Sequence, residues 1–169
     1  MGLLSEEFNS LEDLLIHELK DVYDAETRLV PALEKMAEAA VSGPLKEGFE
    51  EHRLQTEGHI SRLEQVFRMF NQEPERKTCP AIKGLIAEGD DMISAKGDEN
   101  VRDAALIAAA QRVEHYEIAA YGTMRTLARQ LGRTDVADIL QQTLDEEGQT
   151  DEKLTQLAEA QVNPRARVA

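Results

Sequence analysis

LIHELKDVYDAETRLVPALEKMAEAA, the stretch from Leu15 to Ala40, decides the fold of this chain. One set of its residues recurs in steps of four and three, the spacing of one buried face of an α-helix. Its members are Leu15, Leu19, Val22, Glu26, Leu29, Leu33, Met36 and Ala40, of which only Glu26 is not apolar. Burying an ionised carboxylate is costly unless it is paired, hydrogen-bonded or bound to metal. The stretch therefore predicts a long helix that buries Glu26 beside something that compensates its charge.

The size and charge of the chain limit the classes of protein to consider. A length of 169 residues suits one compact domain, which we expect to span residues 1–162. The 33 acidic and 19 basic residues give a net charge of -14. This balance argues against nucleic acid or an anionic membrane as a partner, because both need a basic protein surface. Cations are the better candidate ligands.

The termini and the cysteine content indicate a cytoplasmic protein. No apolar run is long enough to span a membrane, and the first residues, MGLLSEEFNS, lack the basic start and apolar core of a signal peptide. Cys79 is the only cysteine, so an intramolecular disulfide and a Cys-x-x-Cys metal site are both excluded. We interpret Cys79 as a thiol in a loop.

Abundant Ala, Leu, Glu and Gln and few aromatic residues predict an all-α protein. Ser10 is predicted to cap the first helix and Pro31 to bend it. A flexible tail is expected over residues 163–169, which contain Pro164. The predicted helices are A (10–40), B (45–70), C (101–130) and D (134–160), with a short extra helix at 81–95.

The connections between these helices predict the topology. Tight turns at 42–44 and 131–133 join A to B and C to D, whereas the connection from B to C is long. Two antiparallel hairpins joined by one long crossover form a ferritin-like four-helix bundle. The extra helix lies within that crossover.

Polar residues also interrupt the apolar stripes of the other three helices. They are His52 and His59 in helix B, Glu117 in helix C, and Glu147 and Asp151 in helix D. Any one of them, taken alone, would usually lie on a solvated helix face. The two hairpins nevertheless read as a repeat, in which Glu26 aligns with Glu117, His59 with Asp151 and Gln55 with Glu147. The polar positions of the two halves therefore coincide.

Height along the bundle provides a second test, because residues equally far from a hairpin turn lie level on its two helices. Glu26 and His59 are each about sixteen residues from the first turn, and Glu117 is about sixteen from the second. Glu147 and Asp151 bracket that level, so all five are predicted to converge in mid-bundle. His52 lies about two helical turns from His59, roughly 10 Å along the axis. It is a second-tier candidate, and a hydrogen-bonded core histidine is an equal alternative.

Four carboxylates at one level would repel one another strongly unless cations lay between them. Two divalent cations would neutralise them. Oxygen and imidazole ligands suit iron or manganese, and zinc is compatible with the same ligands. Calcium fits less well, because the ligands include a histidine and lie on helices rather than in a loop.

Three stretches carry a family resemblance that covers nearly the whole chain. They are ELKDVYDAETRL (18–29), FEEHRLQTEGHISRLEQVF (49–67) and ENVRDAALIAAAQRVEHYEIAAYGTM (99–124). In these stretches the chain resembles the YciE/YciF family of ferritin-like stress-response proteins from bacteria. The resemblance implies a ferritin-like bundle, a homodimer and a buried site for two metals at Glu26, Glu117, Glu147 and Asp151. It does not imply a particular reaction.

The chain departs from the wider ferritin and rubrerythrin pattern, which uses Glu-x-x-His pairs on helices B and D. The corresponding pairs here are Gln55 with His59 and Glu147 with Asp151, each four residues apart. Helix B thus lacks a bridging glutamate, and we expect Gln55 to lie behind the ligands, with Glu114 another possible ligand or supporting residue. Because no Cys-x-x-Cys electron donor is present, any redox reaction would need an external one.

Four functions remain open from the sequence. The first is a redox protein that binds two iron ions and reacts with oxygen or peroxide, in which Tyr23 and Tyr121 could tune or quench oxidised iron. Tyrosines at such positions more often serve in packing. The second is a non-enzymatic dimeric structural or interaction protein with a residual metal site. A ferritin-type storage cage and a manganese catalase are the third and fourth.

Overall fold

The computed structural model of this chain describes residues 6–168, so the predictions for residues 1–5 and for Ala169 lie outside it. Within that range every regular element is helical, and no strand is present. The helices are α1 (Leu11–Ala39), α2 (Gly43–Met69), α3 (Pro80–Ile93), α4 (Glu99–Gln130), α5 (Thr134–Leu157) and α6 (Asn163–Ala166), with a π-helical turn at Ala158–Val162. The prediction of an all-α fold with four long helices and one short crossover helix is confirmed.

The four long helices form two hairpins that close into a bundle. The α1 helix packs along α2, and α4 packs along α5. The hairpins meet where α2 faces α5 and α1 faces α4, while α3 lies against α1 and α4. This arrangement is consistent with a ferritin-like bundle. No described helix is long and apolar enough to cross a membrane.

The core consists of two apolar clusters separated along the bundle. One cluster includes Leu29 and Phe49, and the other includes Leu19 and Leu63. On α2, His59 falls between the residues of the two clusters, and on α1 Glu26 lies near their boundary, between Val22 of one cluster and Leu29 of the other. The interruptions in the apolar stripes therefore form a buried polar layer in mid-bundle.

Helix ends are fixed partly by local and partly by distant residues. Ser10 caps α1 as predicted, because its hydroxyl accepts the amide of Asp13 at 3.0 Å. Helix α1 continues through Pro31 to Ala39. At the start of α2 the side chain of Ser42 makes no capping bond. Asp103 of α4 instead accepts the amides of Val41 at 3.0 Å and Ser42 at 2.8 Å.

Asp24 anchors the long crossover to α1. Its carboxylate accepts hydrogen bonds from the Arg76 Nε at 2.9 Å and from the backbone amide of Cys79 at 3.0 Å. Arg28, one turn along α1, donates to the same carboxylate at 2.6 Å. Cys79 is a buried free thiol at the start of α3. These contacts place α3 over the side of the bundle.

The structure differs from the predicted flexible tail over residues 163–169. The helical chain continues through the π-helical turn, and Asn163–Ala166 forms α6, which packs against α4. Val162 anchors this end because it is buried at 2% exposure. Pro164 does not break the helical chain, and it lies at the first positions of α6, directly after the π-helical turn.

Candidate metal centre

The buried polar layer brings together one predicted residue from each long helix. Glu26 of α1, His59 of α2, Glu117 of α4 and Glu147 of α5 all have 0% exposure. They converge because each occupies an apolar-stripe position at about the same distance from its hairpin turn. Two further residues, His52 of α2 and Glu114 of α4, are also buried beside them.

These six side chains form two groups that share one residue. The first group contains His52, Glu114, Glu117 and Glu147, and the second contains Glu26, His59 and Glu147. Within each group, one nitrogen or oxygen atom from every member lies within 4.8 Å of the others. Each group could therefore hold a metal ion.

Glu147 is positioned to join the two groups. Its Oε1 lies 3.0 Å from the Nδ1 of His59, and its Oε2 lies 3.6 Å from the Nε2 of His52. The Nε2 of His52 is also 3.3 Å from Glu114. Two ligand atoms about 2.1 Å from one ion lie about 3.0 Å apart in octahedral and about 3.4 Å apart in tetrahedral geometry. The observed separations are close to those of ligands around a common ion.

The hydrogen-bond inventory of the layer supports the same conclusion. Among the described residues, eight of its buried atoms have no hydrogen-bond partner: Glu26 Oε2, His52 Nε2, His59 Nδ1, Glu114 Oε2, both carboxylate oxygens of Glu117 and both of Glu147. Buried polar atoms are normally satisfied, and leaving so many without partners would be costly. The residues therefore fit a bound metal, because coordination would satisfy these atoms together.

Each histidine is held so that one ring nitrogen faces the layer. The Nε2 of His59 lies 2.8 Å from the carboxylate of Glu146, which also accepts two hydrogen bonds from Arg62, of 2.7 and 2.8 Å. The Nδ1 of His52 lies 3.2 Å from Gln55 Oε1 and 3.2 Å from Thr150 Oγ1. A metal-bound histidine typically donates its outer N–H to such an acceptor, which leaves the inner nitrogen free to bind.

The electrostatics of the layer favour a cation. Burial raises the pKa of Glu117 well above its usual range, and the negative charges of Glu147 and Glu26 add to that rise. Burial also raises the pKa of Glu114, again with a contribution from Glu147. Burial alone would lower the pKa of His59, but the adjacent carboxylates of Glu147 and Glu26 raise it to about 10. Without a metal, bound protons must offset the negative charge of these buried carboxylates, either on the carboxylates themselves or on His59.

Asp151 is not brought into either group, although the sequence predicted it as a ligand. Its side chain is partly exposed and accepts a hydrogen bond from Gln111 Nε2 at 3.1 Å. The Nε2 of His115 lies 3.2 Å from its other carboxylate oxygen. At one turn beyond Glu147, Asp151 sits nearer the outer edge of the α4 and α5 pair. The repeat that aligned it with His59 matched sequence positions but not side-chain directions.

The supporting residues also differ from expectation. Gln55, which the sequence paired with His59, lies behind His52 instead, and Tyr121 donates a 2.5 Å hydrogen bond to Glu26 Oε1. Tyr23 instead donates to Glu64 at 3.0 Å, outside both groups. The 10 Å expected between His52 and His59 also overstated their separation, because their rings converge to 6.2 Å between centroids.

Sequence reasoning missed Glu146 and Arg62, which hold His59. Glu146 precedes a buried stripe residue and therefore looks like an ordinary solvent-facing glutamate. Arg62 offered a weak signal, because it follows His59 by three residues and so lies on a neighbouring part of the same helix face. Their pairing connects α2 with α5, which no local spacing reveals.

The fold and the site define a class of protein: an all-helical bundle whose core contains a Glu/His cluster that could hold metal. The family itself is shown by comparison, since the chain belongs to the family described as "Domain of unknown function (DUF892)", whose model matches residues 10–167.

Known relatives are similar over almost their full length. The chain is 48% identical to Protein YciF of Escherichia coli (strain K12) over 158 residues, which cover 93% of this chain and 95% of YciF. The crystal structure of that protein, which is described as a stress protein, matches with a TM-score of 0.89 over 92% of this chain and 99% of the other.

Two further solved structures are similar. YcfI from Rhodopseudomonas palustris, provisionally described as a structural protein, is 43% identical with a TM-score of 0.87, covering 90% of this chain and 98% of YcfI. A protein from Xanthomonas campestris pv. campestris is 23% identical with a TM-score of 0.71, covering 94% and 97% of the two chains, and shows the fold alone.

Proposed function

We propose that this protein binds two divalent cations in its core, most naturally iron, one in each of the two groups that share Glu147. The observation that carries the proposal is that eight of the eleven buried side-chain atoms without hydrogen-bond partners in the described chain belong to the two groups. The groups provide four carboxylates and two imidazoles, the ligand total of di-iron and di-manganese carboxylate bundles. Two divalent charges would balance the four carboxylates.

The proposed chemistry is the oxidation of ferrous iron by dioxygen or peroxide. Two bound ferrous ions would supply two electrons, which together with two protons reduce dioxygen to hydrogen peroxide, or peroxide to two water molecules. Glu147, which belongs to both groups, would hold both ions, while Glu146 and Gln55 keep His59 and His52 oriented. Tyr121 binds one oxygen of Glu26 and leaves the other oxygen for a metal. An external donor would return the electrons.

A role in bacterial stress protection fits this chemistry. The support is the similarity to YciF, which is described as a stress protein. Removing ferrous iron and an oxidant together would limit oxidative damage. Loss of the encoding gene should then lower the survival of its host under peroxide, and a Glu147→Ala variant should fail to restore it.

A titration under anaerobic conditions tests metal binding directly. Ferrous iron should bind at about two ions per chain, and admitting air should then consume oxygen. A Glu117→Ala variant should bind less iron. A stoichiometry of bound iron near zero in the wild type would contradict the proposal. The same titration with manganese and zinc ranks the three metals, and peroxide disproportionation by the manganese form would reveal a catalase instead.

The second candidate function is that of a structural protein in which the bound metal only stabilises the fold. It is favoured by the provisional description of YcfI as a structural protein. In that case the metal would raise the melting temperature, yet aeration of the ferrous form would consume no oxygen.

We further propose a homodimer in the cytoplasm, and light scattering distinguishes it from a monomer and from a storage cage of many subunits.

A further inference from the structure

A narrow apolar cavity leads from the side of the bundle to the first metal group. It lies between α1, α3 and α4, and its walls include Leu33, Met36, Ile86 and Ala109. Its inner part is lined by His52 and Glu114, which belong to the group containing Glu117 and Glu147. These two side chains are only 3% and 1% exposed.

The two ends of the cavity have different environments. Ile86 and Ile93 of α3, on its outer side, are partly exposed, and Asp90 beside them is exposed. At the inner end, the Nε2 of His52 and the Oε2 of Glu114 are buried without hydrogen-bond partners among the described residues. The cavity therefore runs from a solvent-accessible edge of α3 to two unsatisfied atoms of the centre.

The size of the cavity limits what it could admit. The space open to a water-sized molecule is about 20 Å³, room for about one such molecule at a time. An acyl chain or an aromatic substrate would not fit without moving α3. The occupant is therefore a molecule of two or three atoms.

The chemistry of the walls selects among such molecules. Apart from His52, Glu114 and Asp90, every residue that lines the cavity is apolar or glycine. A hydrogen-bonding molecule such as water or hydrogen peroxide would lose its solvent partners along the apolar stretch between Asp90 and the inner end, where no wall residue replaces them. Dioxygen has no such bonds to lose.

We propose that this cavity is a binding site and entry route for dioxygen, which it delivers to the His52 and Glu114 side of the centre. The delivery role rests on the proposed iron oxidation, whereas the binding of a small apolar molecule does not. Peroxide and ferrous ions would reach the centre by other routes.

Two glycines of α3 provide a matched pair of variants. Gly89 lines the cavity and is buried, whereas Gly84 lies five residues earlier on the same helix and is exposed. A Cβ added at either position meets no atom within 4 Å. Gly89→Val should therefore fill the cavity, and Gly84→Val should make the same change in helix propensity without filling it. If Gly89→Val fails to fold, Ala109→Val narrows the cavity from α4.

Xenon binding tests the site without metal, since apolar cavities bind xenon. Metal-free crystals under xenon pressure should show xenon in this cavity for the wild type and Gly84→Val, and none for Gly89→Val. Absence of xenon from the wild-type cavity would overturn the proposal, whether or not the protein binds iron.

Oxidation kinetics test delivery. In Gly89→Val the rate of iron oxidation by dioxygen should fall about tenfold, equivalent to about 1.4 kcal/mol in the barrier. Iron stoichiometry and oxidation by peroxide should stay near wild type. An unchanged dioxygen rate in a variant that has lost xenon binding would refute delivery, while a failure to bind iron would refute only the proposed function.

Discussion

Glu147 is the residue on which the two groups depend. It is fully buried, and its two carboxylate oxygens face different histidines, at 3.0 Å for His59 and 3.6 Å for His52. No other residue in the described part of the chain belongs to both groups. Because Glu147 belongs to both groups, its removal should affect metal binding in both.

Replacing Glu147 by alanine should therefore reduce iron binding from about two ions per chain to fewer than one. Asp151→Ala is the matched control on the same helix, because Asp151 bonds to Gln111 outside both groups. It should keep about two ions. Metal analysis after anaerobic loading distinguishes the two variants, and equal loss in both would restore Asp151 as a ligand.

Replacing Glu117 should weaken metal binding but raise the stability of the metal-free protein. Both of its carboxylate oxygens are buried without partners among residues 6–168. Replacing a buried polar group that has no hydrogen-bond partner by an apolar residue of similar volume removes the uncompensated cost of its desolvation, about 1–3 kcal/mol. Glu117→Leu should therefore raise the free energy of unfolding of the metal-free protein while weakening iron binding. Urea denaturation measures the change, and a clear loss of stability would contradict it.

Spacing alone was enough to predict four of the six residues in the two groups. Glu26, His59, Glu117 and Glu147 interrupt apolar stripes at one level, and helix geometry converts that pattern into proximity. His52 was placed too far from His59, because axial rise ignores how side chains lean toward each other. Glu114 was named only as a possible ligand or supporting residue, and the orienting Glu146 needed knowledge of how the hairpins face one another, which one sequence does not contain.

Helix boundaries show the same division between local and distant causes. Ser10 was predicted as a cap because its partner is three residues away, and the structure confirms it. Ser42 precedes α2 in a similar way, yet the amides there bond to Asp103 of the other hairpin. Asp103 has 2% exposure, so this link between α1, α2 and α4 is shielded from water.

Asp103→Ala should lower the free energy of unfolding by about 2 kcal/mol, because two backbone amides would lose a charged acceptor. The melting temperature should fall by roughly 4–8 °C for a domain of this size. Ser42→Ala is the control, since the buried Ser42 hydroxyl has no hydrogen-bond partner in the described chain. Its melting temperature should stay level or rise, and a fall as large as that of Asp103→Ala would contradict this assignment.

The candidate ligands of the two groups equal in total those of a di-iron bundle but are distributed differently among the helices. The usual arrangement places Glu-x-x-His pairs on two helices and a single Glu on each of the other two. Here α2 provides two histidines, α4 provides Glu114 and Glu117, and α1 and α5 each provide one glutamate. His52 and Glu114 thus compensate for Gln55 and Asp151, the two departures seen in the sequence.

Because the ligands come from all four long helices, metal should stabilise the entire bundle. An ion that binds only the folded state adds about 2.7 kcal/mol at one hundred times its dissociation constant. For this chain length the melting temperature should then rise by roughly 5–10 °C. Calorimetry with and without a chelator measures the shift. Glu147→Ala should show little of it, and an equal rise in that variant would mean that the metal binds elsewhere.

Anomalous scattering at the iron edge tests the central claim most directly. Crystals grown without added metal, and then crystals soaked anaerobically in ferrous iron, should be measured. We expect two peaks in each chain, one among His52, Glu114, Glu117 and Glu147 and one among Glu26, His59 and Glu147. The absence of both peaks after soaking would contradict the account.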